Sequence, residues 1–272
     1  MSNQEVYRAL AEPVGLPGPA ALCTVVRTGG SVPRRAGAKM LVYSDGQTVG
    51  TVGGGELEAR VIAHAHEVAQ KRESALITVP LVDPNKGDAG VCGGEMDVFI
   101  EPVLAEPTIL VIGCGHIGRE VAALAKWAGF RVAVTDDRVE FCGPEHVPEA
   151  DIYLPGAIPE ALAGFEITDQ TYIAAATRGV RADVQALPHL LRSPAAYVGV
   201  TGSRRRWSVA VQELQDLGVP DEIIGRAHAP IGLEIGAETP REIAVSILAE
   251  IIAERQGRDG RPMRWHAPSL EI

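Results

Sequence analysis

The chain has 272 residues, with 25 Lys and Arg against 35 Asp and Glu for a formal net charge of −10; this excludes a nucleic-acid binder, because phosphate backbones are held by uncompensated Lys and Arg. Hydrophobic residues at 46 % and charged residues at 22 % exclude a disordered chain and predict a buried core. The longest charge-free run, residues 13–26, is too short for a membrane span, and four scattered cysteines without a C-x-x-C point to a reducing cytoplasm rather than a disulfide framework.

Strand-like runs at residues 20–26, 39–43, 48–52, 75–79 and 96–100 surround one helix, on which Leu57, Val61, Ala65 and Val68 share a face. This pattern predicts a small α+β domain over residues 1–101. Three glycine loops punctuate it: residues 28–39, with Arg34, Arg35 and Lys39; Gly53-Gly54-Gly55, opening the helix at Glu56; and residues 90–94 around Cys92. Successive backbone N–H groups in these loops, Gly54 and Gly55 among them, with neighbouring Arg34, Arg35 and Lys39, would build an anion nest. Cys92, flanked by glycines, would be open to approach; the alternative is a small buried hydrophobe. Residues 102–107, with prolines at both ends, read as a linker.

From residue 108 to 256 the pattern changes to alternating strands and helices, which predicts a Rossmann-like, doubly wound parallel sheet. An apolar run at 109–112 precedes Gly113-Cys114-Gly115-His116-Ile117-Gly118, and Ile117, Val121, Leu124, Ala125 and Ala128 then draw one helical stripe ended by Gly129. A strand at 130–135 follows and delivers Asp136-Asp137. In this setting Gly113 permits the turn, Gly115 lets a diphosphate approach the backbone, and Gly118 lets helix and strand pack. Asp136 is placed to accept from a ribose 2′-OH, favouring NAD over NADP, with Arg138 arguing the other way. His116 lies inside the turn, either as a ligand contact or as a surface residue.

Further strands at 152–154, 172–176 and 197–200 alternate with a helix at 183–191. Thr201-Gly202-Ser203-Arg204-Arg205-Arg206 then puts three cations at the start of a helix, where they oppose its dipole unless an anion or surface carboxylates compensate. Thr239-Pro240-Arg241-Glu242 reads as a capping box opening a long apolar helix, and residues 257–272 as a tail. Cys114 with His116 is too few ligands for a metal site.

These segments resemble the XdhC/CoxI family, accessory factors for xanthine dehydrogenase and related molybdenum hydroxylases. The resemblance rests on Gly29-Gly30-Ser31-Val32-Pro33, Gly37-Ala38-Lys39-Met40, Gly50-Thr51-Val52-Gly53-Gly54-Gly55 and Cys92-Gly93-Gly94-Glu95. It continues through residues 113–118, Asp136-Asp137-Arg138, Gly202-Ser203-Arg204-Arg205 and His228-Ala229-Pro230-Ile231-Gly232-Leu233-Glu234-Ile235-Gly236. It implies a dimeric two-domain chaperone without turnover of its own. Such a protein would bind the molybdenum cofactor (molybdopterin), promote its sulfuration with a cysteine desulfurase and hand it to the apo-enzyme of a molybdenum hydroxylase. Ser203, Arg204, His228, Arg34, Lys39 and Cys92 would join the glycine loops in holding it. The chain departs from the family pattern at Glu56, where relatives often carry Cys, and at residues 177–183, where Arg178 and Val180 stand in place of two histidines. The alternatives are an NAD(P)-dependent oxidoreductase, with His228, Ser203 or Arg178 as proton carrier, and a nucleotide-sensing Rossmann module.

Overall fold

The computed structural model describes residues 3–11, 19–80 and 94–263. The chain divides into two compact units, Met1–Ala105 and Glu106–Ile272. Cys92 and most of its glycine loop lie outside the described residues.

The first unit runs α1 (Asn3–Ala11), β1 (Ala20–Gly29), β2 (Lys39–Tyr43), β3 (Thr48–Gly50), α2 (Gly55–Lys71), β4 (Ala75–Pro80) and β5 (Glu95–Val103). Its strands pair antiparallel in the order β3-β2-β1-β5-β4. Because side chains alternate along a strand, Ala21, Cys23 and Val25 of β1 face Leu57, Val61 and Ala65 of α2, while Ala20 and Leu22 face Val6 of α1. The sheet is therefore covered on both faces. β5 extends to Val103, so the first residues of the expected linker are strand, paired with Ala20 and Ala21 of β1.

The second unit runs β6 (Thr108–Ile112), α3 (His116–Trp127), β7 (Arg131–Asp136), a 3₁₀ turn (Val139–Phe141), β8 (Ile152–Pro155), α4 (Ile158–Leu162) and β9 (Thr171–Ala175). It continues with α5 (Val180–Leu190), β10 (Tyr197–Val200), α6 (Arg204–Asp216), α7 (Asp221–Ile224), β11 (Ala227–His228) and α8 (Pro240–Arg255). All its strands are parallel, in the order β11-β10-β9-β6-β7-β8. Numbered within the unit, that order is 6-5-4-1-2-3, the arrangement of a dinucleotide-binding sheet. Ile109 and Val111 of β6 pack towards α3 and α8, Leu110 and Ile112 towards α5 and α6, which is why β6 reads as an unbroken apolar run.

The direction of winding reverses between β6 and β9, so their C-terminal ends splay apart and leave a crevice. This crevice is where the second unit has room for a ligand.

Candidate functional site

A cleft of about 960 Å³ opens at the C-terminal ends of β6, β7 and β9. Its floor is the turn between β6 and α3. Gly113 has φ +104°, and a Cβ there would lie 2.5 Å from the Ala176 carbonyl oxygen. A Cβ on Gly118 would overlap the Gly113 carbonyl, so helix and strand approach as closely as glycine allows. Gly115 is different: nothing lies within 4 Å of its Cβ position, and no side chain caps the helix that it starts.

The walls are strongly cationic. Arg119, Arg138, Arg178, Arg181 and Arg206 line the cleft, with Asp136 and Asp137 as its acidic members. Three of these arginines are paired. Arg206 donates from Nε (3.1 Å) and Nη2 (2.7 Å) to the buried Asp183, and from Nη1 to the Thr177 carbonyl (3.1 Å). Thr177 Oγ1 accepts from Arg206 Nη2 at 2.6 Å and donates to Asp183. This triad clamps the turn after β9 to α6. Arg178 pairs with Asp137 at 3.1 Å on the exposed rim.

The third pair alters the role of Asp136. Its Oδ1 accepts from the Arg138 amide and Nε, both at 2.9 Å, and its Oδ2 from the Cys114 amide at 2.7 Å and Arg138 Nη2 at 2.9 Å. Burial alone would raise its pKa; the hydrogen bonds from Arg138 and Cys114 and the Arg138 charge outweigh this and bring it down to about 2. A carboxylate offers about four lone-pair positions, and here each is used. The acceptor expected for a ribose 2′-OH is therefore occupied by the chain itself. Arg138 in turn lies over Phe141, 3.8 Å from the ring centroid, and the Phe141 ring meets His146 edge to face at 4.5 Å.

Beneath the turn, the buried Cys114 and Cys142 thiols donate to the Thr135 carbonyl at 3.8 Å and the Val134 carbonyl at 3.4 Å. The neighbouring Cys142 thiol and burial raise the pKa of Cys114, while Cys114 lowers that of Cys142 to about 7 against the effect of burial. Among the described residues no three His, Cys, Asp or Glu side chains could hold a metal ion.

Of the residues singled out in the sequence, Gly113, Gly115, His116 and Asp136 line the cleft, and Gly118 is buried below it. Ser203 caps α6, accepting from the Arg206 amide at 3.2 Å, and Arg204 is exposed on that helix; neither lines the cleft. His228 is also elsewhere. Its Nδ1 lies 3.1 Å from Glu250 Oε1 and its ring 4.3 Å from Tyr197, whose hydroxyl donates to Glu250 Oε2 at 2.6 Å. The Glu250 hydrogen bond raises the pKa of His228.

Arg34, Lys39, Gly54, Gly55 and Glu56 belong to the first unit. Arg34 is exposed, Lys39 donates to Thr24 Oγ1 at 2.8 Å, and Glu56 pairs with Arg60 at 2.7 Å. At the triple glycine, the Gly54 amide is already bonded within the chain. Glu58 Oε2 accepts from the Gly54 amide (2.9 Å), the Val52 amide (3.3 Å) and the Thr51 hydroxyl (2.6 Å). Glu58, Arg119, Phe141, His146 and Arg181 all escaped the sequence reading. Position 119, in the first turn after the glycines, was the one signal that could have been used.

The family model for the XdhC Rossmann domain matches residues 109–251, and that for the XdhC and CoxI family matches residues 17–80. The chain belongs to the XdhC/CoxI family. It is 38 % identical over 247 residues to the Escherichia coli protein YqeB, covering 89 % of this XdhC chain and 44 % of YqeB. It is 31 % identical over 160 residues to a probable xanthine dehydrogenase subunit of Bacillus subtilis, covering 59 % of this chain and 46 % of that one. Thus the chain spans less than half the length of these two relatives. With the molybdenum cofactor insertion chaperone PaoD of E. coli it shares 24 % identity over 268 residues, covering 87 % of this chain and 83 % of PaoD. No helix among the described residues is long and apolar enough to cross a membrane.

Proposed function

We propose that this XdhC-family chain is a chaperone that binds the molybdenum cofactor, assists its sulfuration together with a cysteine desulfurase, and promotes its insertion into a xanthine dehydrogenase-type hydroxylase. It acts as a homodimer in the cytoplasm. The observation that carries this reading is that the family matches fall in both units, with a relative named as a molybdenum cofactor insertion chaperone aligned over most of its length. The cationic cleft supports it, since an anionic cofactor suits arginines and open backbone amides.

An oxidoreductase would need a proton carrier beside its nicotinamide. His228 and Ser203 do not line the cleft, and Arg178, which does, is engaged in its ion pair with Asp137. The chaperone reading needs no such group. Its test is co-expression with an apo-hydroxylase, with mass spectrometry of what the purified protein carries. A bound pterin and raised hydroxylase activity are expected; protein free of pterin, with hydroxylase activity unchanged, would sink the proposal.

A further inference from the structure

We infer that a second copy of this chain docks on the outward faces of α3 and α8, with the two α8 helices crossing antiparallel about a two-fold axis beside Ala249. The inference rests on the homodimer proposed above and assigns its interface.

Apolar residues lie on every side of α8, the pattern of a helix that is covered all round. Ala244, Ile247, Leu248 and Ile251 meet the core of the second unit. The opposite side is bare among the described residues: Val245 is 49 % exposed and Ile252 41 %, with the half-buried Ala249 between them. Spacings of four and three residues put these side chains in one row along the helix.

α3 widens the row into a face. The two helices lie side by side and run the same way, because Arg241 reaches Glu120 at 3.3 Å near their starts and the Arg255 guanidinium lies 5.3 Å from the Phe130 ring centroid near their ends. Trp127 follows Glu120 by about two turns, on the same side of α3, and is 84 % exposed. It therefore flanks the second half of the row. A bare Trp beside a bare Ile, on neighbouring rigid helices, has the composition of an interface centre.

The charges on the row point to a second copy as the occupant. A two-fold axis between Leu248 and Ala249 sets Val245 of one copy against Ile252 of the other, and Glu242 against Arg255, each contact being made twice by symmetry. Glu242 uses Oε2 in its capping box, accepting from the Thr239 and Glu238 amides, and keeps Oε1 for such a pair. At the crossing point Ala249 is small enough to let the helices approach to about 8–10 Å. A parallel crossing would instead bring Glu242 against Glu242 and Arg255 against Arg255, which like charges oppose.

Sedimentation velocity over a concentration series, with a circular-dichroism spectrum of each variant to confirm its fold, tests this face. The wild type is expected to be a dimer. Ile252→Glu puts carboxylates into the contact and should raise the dimer dissociation constant about a hundredfold or more, and Trp127→Ala about tenfold. Arg255→Glu should raise it about tenfold, and adding Glu242→Arg should return it to within about threefold of the wild type. A short bismaleimide should join Ala249→Cys chains into covalent dimers well above the wild-type background, and should leave Gln212→Cys, exposed on α6 at the other face of the sheet, at that background. A wild type that sediments as a monomer would sink the homodimer itself. A dimer indifferent to Ile252→Glu, or one in which Ala249→Cys cross-links no better than Gln212→Cys, leaves the homodimer standing and overturns this interface. Failure of Glu242→Arg to restore Arg255→Glu overturns the antiparallel crossing.

Discussion

Both units of the molecule place a glycine turn between a strand and a long helix, yet one turn is closed and the other is open. In the first unit the Glu58 carboxylate folds back and takes the Gly54 and Val52 amides and the Thr51 hydroxyl. In the second, the first turn of α3 carries no acidic residue and no cap, and holds Arg119 instead. The same backbone device thus serves a structural end where the chain supplies its own anion, and is left available where it does not. A string of glycines is evidence of close backbone approach; the charge three to four residues into the helix decides what approaches.

The largest expected effect comes from removing the glycine that both packing and turn depend on. Gly118→Ala drives a Cβ into the Gly113 carbonyl, and should destabilise the Rossmann unit by about 3 kcal/mol, seen as a lowered calorimetric transition. An unchanged transition would mean that the close approach of β6 and α3 is not needed. Glu58→Ala tests the other side of the comparison. It leaves two backbone donors and a hydroxyl without their acceptor, for an expected cost of about 2 kcal/mol. It should also create a new pyrophosphate site in the first unit; a variant that binds no extra anion would show that closure by Glu58 is not what separates the two turns.

Thr239→Ala removes one of the caps that set α8 apart from α3, and should lower stability by about 1 kcal/mol in denaturant titration. The smallest effect is a pH dependence. The folded pKa of His228 lies above its ordinary value of 6.5, so its contribution is complete below that pH and is lost as pH rises through the folded value. Glu250 is shifted down from 4.5: burial pushes it up, and the hydrogen bonds from His228, Tyr197 and the Gly232 amide prevail. Its contribution is lost as pH falls below 4.5. Melting curves of the wild type and Glu250→Gln should therefore lie furthest apart between about pH 4.5 and 6.5 and draw closer on either side, with the Tyr197 and Gly232 bonds keeping them separate on the alkaline side.

The elements legible in the sequence were those whose signal is local and repeated. The apolar run of β6, the stripe of α3 and the Thr239 capping box each follow from spacing within a dozen residues, and the parallel, doubly wound sheet follows from the alternation of strands and helices. The helix α1 was missed because it buries one side chain, Val6, in a polar stretch. The strand β11 was missed because its two residues owe their conformation to pairing with Val198 and Gly199. At the site, glycine positions were visible and hydrogen-bond partners were not. Nothing in the order of residues says that Asp136 is consumed by Arg138 and Cys114, since that depends on how side chains turn once β7 and the glycine loop are packed.

The cluster joining Tyr197, His228 and Glu250 bears on the way the molecule is made. The edge of the parallel sheet, β10 and the two-residue β11, leans on a carboxylate that belongs to the last helix. A ribosome delivers that acceptor after every described strand has emerged, so the nascent second unit waits with an unfinished margin while the described helices and strands of the first end by Val103. The margin formed by Tyr197 and His228 is closed only when α8 arrives with Glu250.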